Sequence, residues 1–418
     1  MSVPPSDPLR RSRDFRLLLA GQTTSQLGAQ ISGVAIPLLA VTTLDASPLE
    51  VGLLGAASTI PFAVIGLPAG AWLDRMRRRP VLIASDVARA LLLATIPIAA
   101  WLGLLTMVQL LIVAFLVGFA RVFFDVGYRS YIPTVVGRDK LLTGNSAMEF
   151  IRAGGQVAGP GLGGILVSLI GAANVVAAQA VTFAVSALTL VKIRAQEAPR
   201  DPSADSGTLW SRAAEGLRFV VHHRVLRATA VASATSNFSF AIASAVTIVF
   251  LSRDLGQPAW VVGLVIAAAS VTVMLGAAIT PWVARVVGSA RIVWVSLAVT
   301  SPFTLLVALA TPGWGLAIAV IGMAAGEIGQ IVYSISNVSL RQRVAPDAIL
   351  ARVNATMQFA IMALFPLGAL IGGILGELAG TRLTLLAAGA VGLVSPLVLY
   401  TAIRGYRDVD DLPEQAIR

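Results

Sequence analysis

Twelve runs of mainly apolar residues constrain this chain more than any other feature of its sequence. A helix needs roughly 20 such residues to cross the hydrocarbon core of a bilayer. The runs lie near residues 17–42, 50–73, 80–103, 107–127, 144–170 and 173–192, and then near 226–251, 259–284, 291–310, 314–337, 354–378 and 383–403. They do not alternate polar and apolar residues as β-barrel strands do. The sequence therefore predicts an all-α integral membrane protein with twelve transmembrane helices.

The small number of charged residues supports this prediction. Only 12% of the 418 residues are charged and the mean hydropathy is +0.83, whereas soluble proteins average about 25% charged residues. The chain has no cysteine, and its two histidines, His222 and His223, are adjacent in a polar stretch. A zinc site built on several such ligands is therefore not expected, and we predict no metal and no cofactor.

The basic residues predict the orientation of the chain in the membrane. With the N-terminus in the cytoplasm, 26 of the 31 lysines and arginines fall in cytoplasmic segments, Arg253 and Arg382 fall outside, and Arg89, Arg121 and Arg152 lie within spans. This is a strong positive-inside bias, and it accounts for the net charge of +10 without a nucleic-acid partner. We expect a multi-pass protein of the cell membrane with both termini cytoplasmic. The N-terminal segment lacks the apolar core of a cleaved signal.

The two halves of the sequence are related. The segment that begins at Asn145, NSAMEF, recurs as NATMQF from Asn354, at an offset of 209 residues, which is half the chain length. The same offset carries Gly159 to Gly368, Gly163 to Gly372 and Gly164 to Gly373. Parallel repeats of six helices are one known transporter plan. We therefore predict an N-terminal six-helix bundle over residues 1–195 and a C-terminal bundle with a cytoplasmic tail over 225–418.

The segment between the bundles, residues 196–224, is predicted to be a cytoplasmic linker that contains an amphipathic helix. From Leu209 onward, Trp210, Ala214, Leu217 and Val221 share one helical face. Such a helix can lie on the inner membrane surface. A solvated linker helix is the alternative.

The loop after the second predicted span reads GAWLDRMRRR. It resembles the signature loop of the major facilitator superfamily, G-x-x-x-D-R-x-G-R-R, with Arg77 in place of the second glycine. The matching residues are Gly70, Asp74, Arg75, Arg78 and Arg79. The resemblance implies a gating loop that latches the cytoplasmic side of the outward-facing state. A carboxylate near a helix end can bind a neighbouring helix N-terminus or an arginine, although these arginines could also serve only as topology anchors.

The fifth predicted span carries Gly155, Gly159 and Gly163 at intervals of four residues, which gives one smooth face for close helix packing. With Pro160 and Gly164 the span reads G-x-x-x-G-P-x-x-G-G, which resembles the superfamily's antiporter motif, found chiefly in drug exporters. Pro160 allows a bend. Ordinary close packing is the alternative interpretation of these glycines.

Charged residues inside spans are expensive and are treated as functional candidates. Two of three intrahelical pairs are such candidates, Arg121 with Asp125 and Glu149 with Arg152, and Glu327 stands alone in the tenth span. A lone carboxyl there can be neutral when closed off from water and charged when wetted, as proton coupling requires. We predict that Glu327, Asp125, Glu149, Arg121 and Arg152 couple transport to protons. The alternatives are a neutral, hydrogen-bonded Glu327 and pairs that only neutralise each other. For a third pair, Asp86 and Arg89, mutual neutralisation in a structural role is favoured.

Amide and aromatic side chains on several spans are predicted to line a substrate cavity, because such groups suit a large amphipathic solute. These are Gln22, Gln26, Gln30, Asn237, Phe238, Gln330 and Tyr333. They equally suit helix packing.

Short phrases around Ser85 and after Pro133 are similar to the superfamily branch that contains macrolide efflux proteins and the enterobactin exporter. The resemblance implies a monomeric exporter of a drug, siderophore or secondary metabolite, working by proton antiport and alternating access. No P-loop and no Gly-x-Ser-x-Gly elbow occurs, so neither ATP drive nor enzymatic activity is expected. An importer or uniporter of the same fold, and a non-transporting membrane sensor or scaffold, remain alternatives.

Overall fold

A computed structural model describes residues 12–137, 140–195, 197 and 209–411. These residues form helices and connecting loops, and twelve of the helical segments are long and apolar enough to cross a membrane. The prediction of an all-α chain with twelve candidate spans is confirmed.

The first six spans are single helices, and the last six include several interrupted ones. The first six are α1 (Arg13–Thr43), α2 (Pro48–Arg75), α3 (Arg78–Trp101), α4 (Met107–Val136), α5 (Leu141–Ile170) and α6 (Ala172–Lys192). The linker holds α7 (Leu209–His222). Then come α8 (Arg224–Val249), α9 (Ala259–Val287), α10 (Ile292–Thr304), α11 (Leu316–Val344), α12 (Asp347–Ala363), α13 (Phe365–Ala379), α14 (Thr381–Gly392) and α15 (Val394–Ile403).

Local sequence explains where several helices begin and break. Ser47 and Glu50 form a capping box at the start of α2, with Ser47 N–H donating to Glu50 Oε2 at 2.8 Å and Pro48 in the first helical position. The eleventh span breaks into α12 and α13 at Leu364, where Pro366 removes a backbone donor. The equivalent span of the first half, α5, remains one helix through Pro160.

The chain divides into two compact units. Unit 1 comprises residues 1–44 and 64–205, and unit 2 comprises residues 45–63 and 206–418. The first part of α2 thus belongs to unit 2, although it comes from the first half of the sequence.

In unit 1, α1 packs along α5 and α6. A methyl group built on Gly163 of α5 would lie 2.7 Å from the carbonyl oxygen of Ile31 in α1, and one on Gly155 would contact Gln30. The predicted smooth glycine face is therefore confirmed as the surface on which α1 packs. Pro160 and Gly164 are also buried.

Unit 2 repeats this packing 209 residues further on. A methyl group on Gly368 of α13 would lie 2.7 Å from the carbonyl oxygen of Phe238 in α8, and Gly372 approaches Ile242 of the same helix. The glycines that the internal repeat pairs thus have equivalent roles, each holding the fifth helix of a half against the first. In addition, Gly373 is in close contact with Gly52, in the part of α2 that belongs to unit 2.

Candidate functional site

A cavity of about 650 Å³ opens on one face of α5 in unit 1. It is lined by Asn145, Ser146, Glu149, Phe150 and Ala153. Glu149 accepts from Arg152 Nε at 2.9 Å, and Arg152 also donates to Gln156 Oε1 at 2.9 Å. The Glu149 side chain is 62% exposed and Phe150 is 80% exposed. An accessible ion pair beside an exposed aromatic ring can contact a solute that carries both charge and apolar surface.

The second predicted pair lies on α4. Arg121 Nε is 3.4 Å from Asp125 Oδ2, and both side chains are substantially exposed. This geometry is that of a loose, accessible pair whose partners can exchange. Both charged groups are therefore accessible to protons or to a solute, as a role in proton coupling would require.

The third pair is buried. Asp86 and Arg89 of α3 form an ion pair in which Asp86 has no exposed surface and Arg89 has 4%. The Arg89 guanidinium carbon lies 4.2 Å from the ring centroid of Phe124 and 4.3 Å from that of Phe183. Two aromatic faces therefore replace water around the cation. This arrangement supports the structural role that the sequence favoured.

Glu327 lies in the middle of α11, where Gly322, Gly326 and Gly329 face α10. Ala324 and Ile328 face α9. At 100° per residue, Glu327 and Gln330 fall on a third face between these packed sides. Within the described part of the chain Glu327 has no hydrogen bond or ion pair, as expected for a carboxyl that stands alone in its span.

The predicted cavity glutamines of α1 have different surroundings. Gln22 is buried, and its Oε1 has no partner among the described residues. Gln26 is partly exposed. Gln30 packs over Gly155 and Gly159 of α5. Gln30 therefore belongs at least in part to the helix contact.

The aromatic and amide residues of unit 2 that were predicted to line a cavity fall into a packed group and a partly exposed group. Tyr333 is 2% exposed, and its hydroxyl bonds Ser233 Oγ at 2.7 Å and the Thr229 carbonyl at 3.0 Å, so it lies in the packed interface of α8 and α11. Asn237, Phe238 and Gln330 are partly exposed. The sequence could not separate these cases, because amide and phenol groups serve both packing and binding.

The loop between α2 and α3 is anchored within unit 1. The side chains of Asp74 and Arg75, and any contacts of Gly70, lie outside the described set. The N–H groups of Arg78 and Arg79 donate to the Glu197 carboxylate at 2.9 and 2.8 Å. Arg79 also donates to the carbonyl oxygens of Leu190 and Val191 at the end of α6.

Glu197 thus occupies an anion position at the N-terminus of α3, and Arg79 caps the C-terminus of α6. This contact was not predicted from the sequence. The only sequence feature that pointed to the contact was the single acidic residue Glu197 shortly after the sixth span. The two arginines of the motif therefore join the third and sixth spans, in addition to any latch that Asp74 provides.

Among the described residues no group of three His, Cys, Asp or Glu side chains could hold a metal ion. The charged groups found here can bind protons or contact a solute.

Comparison with known proteins identifies the family. The profile of the transmembrane secretion effector family matches residues 4–416. The chain belongs to this family, within the major facilitator superfamily. Members of that superfamily are transporters, and the twelve apolar helices make this chain a multi-pass membrane protein.

Two relatives and one solved structure show the extent of the similarity. The multidrug efflux pump Tap of Mycolicibacterium fortuitum is 29% identical over 381 residues, 89% of this chain and 91% of the relative. Tap of Mycobacterium tuberculosis (strain ATCC 25618 / H37Rv) is 27% identical over 418 residues, 96% of each chain. A bacterial homologue of the iron transporter ferroportin, solved in an inward-facing state, has a TM-score of 0.74 at 16% identity and covers 93% of this chain and 98% of its own.

Proposed function

We propose that this secretion effector exports amphipathic organic compounds across the cytoplasmic membrane in exchange for protons. The similarity to multidrug efflux pumps along nearly the whole chain carries the export proposal. The exposed Phe150 beside the Glu149 and Arg152 pair supports an amphipathic substrate. The positive-inside bias of the sequence supports a cytoplasmic location for both termini.

Proton coupling is proposed to centre on Glu327. A carboxyl without a charged partner in an apolar span is stable as the neutral acid, and it ionises when water reaches it. Alternating access supplies that change, because substrate-binding residues face first one side of the membrane and then the other. Asp125 and Glu149, paired with Arg121 and Arg152, are the secondary proton sites.

The test is transport into inside-out vesicles with an imposed proton gradient. Wild-type vesicles should accumulate at least one compound of a panel of cationic dyes and antibiotics, and accumulation should collapse with an uncoupler. Glu327→Gln should abolish this accumulation, whereas Glu377→Gln, at an exposed acid of α13, should not. Compound flux in wild-type vesicles that does not depend on the proton gradient would favour a uniporter. No flux over the whole panel would favour the non-transporting alternative.

A further inference from the structure

A groove of about 450 Å³ runs along the surface of unit 2 between α10 and the pair α14–α15. Its walls are Trp294, Ala298, Leu393, Pro396, Leu397 and Tyr400. Leu397 is 62% exposed, and no charged side chain lines the groove. In a membrane-spanning chain an exposed apolar surface of this kind faces the hydrocarbon of the bilayer.

Two aromatic residues mark one end of the groove. Trp294 lies in the first turn of α10 and Tyr400 in the last turn of α15. Their rings meet edge to face, with centroids 5.0 Å apart. Tryptophan and tyrosine concentrate where hydrocarbon gives way to headgroups. This end of the groove therefore lies at headgroup depth.

Two exposed arginines stand just beyond the aromatic end. Arg291 precedes Trp294 by three residues, and Arg404 follows Tyr400 by four, with its guanidinium carbon 5.7 Å from the Tyr400 ring centroid. The chain after α15 folds back onto the loop before α10, since Arg291 N–H donates to the carbonyl oxygen of Arg407 at 3.1 Å. Both arginines are thus held at the same end of the groove.

The acids of this region are largely engaged elsewhere. Asp408 accepts from the N–H and hydroxyl of Ser289 at 2.8 and 3.0 Å, and these hydrogen bonds lower the pKa of Asp408. Asp411 accepts from two backbone N–H groups of the same turn. Arg291 lies within electrostatic range of Asp408, but in the described chain neither Arg291 nor Arg404 forms an ion pair within 4.0 Å.

We propose that this groove binds an anionic phospholipid of the inner leaflet, with an acyl chain along Ala298 and Leu397 and the phosphate between Arg291 and Arg404. Basic pockets between transmembrane helices on the cytoplasmic side bind anionic headgroups in this way. The location of this end at the inner leaflet rests on the proposed topology. The fit of an apolar groove, an aromatic mouth and a cationic rim is independent of the transported substrate.

Trp294 provides the probe. The purified full-length protein is placed in phosphatidylcholine nanodiscs that contain increasing fractions of brominated phosphatidylglycerol, and the quenching of tryptophan fluorescence is measured. The quenching that occurs in wild type but not in Trp294→Phe is the Trp294 component. This component should saturate at a lower mole fraction of brominated phosphatidylglycerol than of brominated phosphatidylcholine. Replacing Arg291 and Arg404 by Gln together should weaken the preference by about fivefold for each arginine, the factor equivalent to about 1 kcal/mol.

Matched variants separate the site from general effects. Lys192→Gln with Arg194→Gln removes two exposed cations of unit 1 and should leave the preference intact. Ala298→Phe should fill the groove and remove the saturable component, whereas Val181→Phe, on the exposed face of α6, should not. Equal quenching by the two lipids, or an unchanged preference in the arginine variant, would overturn the proposal. So would a dimer in native mass spectrometry that shields Trp294 from both lipids.

Discussion

Replacement of Asp86 by Asn gives a sharp test of how unit 1 holds its buried charge. In the folded protein Arg89 is enclosed by Asp86 and by the rings of Phe124 and Phe183. The asparagine preserves the volume of the side chain and removes the compensating charge. Arg89 would then remain buried with the two aromatic faces and the more distant charge of Asp125 as its compensation.

The expected cost is large. Removal of one partner from a buried ion pair destabilises a protein by about 3–5 kcal/mol. Arg89→Met should cost a similar amount, to which the loss of two cation–π contacts adds about 0.5–2 kcal/mol each. The double variant Asp86→Leu with Arg89→Met removes both charges, so it should be less destabilised than the sum of the single variants.

The free energy of unfolding, measured by denaturant titration in mixed micelles, checks these values. The control is Asp125→Asn, which disrupts the exposed pair with Arg121 and should cost less than about 1 kcal/mol. Additive effects in the double variant would refute the account of a buried, mutually compensating pair. An Asp86→Asn protein of wild-type stability that lacks proton-driven transport would assign Asp86 to coupling instead.

Three further perturbations follow from local contacts. Gly163→Leu places its side chain against the α1 backbone and should lower the free energy of unfolding by about 1–3 kcal/mol, whereas Gly154→Leu, which has open space around it, should change it little. Glu197→Gln weakens the acceptor for the first amides of α3, and hydrogen exchange of those amides should accelerate by about tenfold, a loss of roughly 1–2 kcal/mol. Burial lowers the pKa of His223, whose Nδ1 accepts from the Leu226 N–H. The imidazole of His223 therefore binds a proton more readily in the unfolded chain than in the folded protein. The stability that neutral His223 contributes is complete above pH 6.5, the pKa of the unfolded chain, and it is lost as the pH falls through the lowered pKa of the folded protein. His223→Asn keeps an N-cap acceptor and should flatten the pH dependence of unfolding in that range.

Each of these predictions can fail clearly. Equal stability of the two glycine variants would contradict the close approach of α1 and α5. Unchanged exchange in Glu197→Gln, with faster exchange elsewhere, would separate Glu197 from the start of α3. An identical pH profile in wild type and His223→Asn would show that the buried imidazole does not control unfolding.

Periodic and compositional features were predictable from the sequence. The twelve spans follow from the length of the apolar runs, and the packing faces of Gly163 and Gly372 follow from a four-residue spacing repeated after 209 residues. Both are properties of neighbouring residues on one helix, or of a repeat visible in one dimension. The family followed from the loop that ends at Arg79, and the profile match confirmed it.

Contacts between distant residues were not predictable in the same way. Glu197 meets the amides of Arg78 and Arg79 across more than a hundred residues, and Arg253 pairs with Asp45 at 2.5 Å across 208. Tyr333 resembled a cavity residue in sequence, but it lies in the packed core because helix rotation turns it toward α8. Such outcomes depend on which faces of the helices meet, and one sequence does not specify this.

The most direct test of proton-coupled export is proton movement driven by the substrate alone. Purified protein is reconstituted in liposomes that enclose a pH-sensitive dye, with potassium and valinomycin to clamp the membrane potential and no initial pH gradient. An imposed gradient of a compound transported in the vesicle assay should change the internal pH in wild type, with protons moving opposite to the compound, and should not do so in Glu327→Gln. Movement of the compound at constant internal pH in wild type would contradict proton antiport.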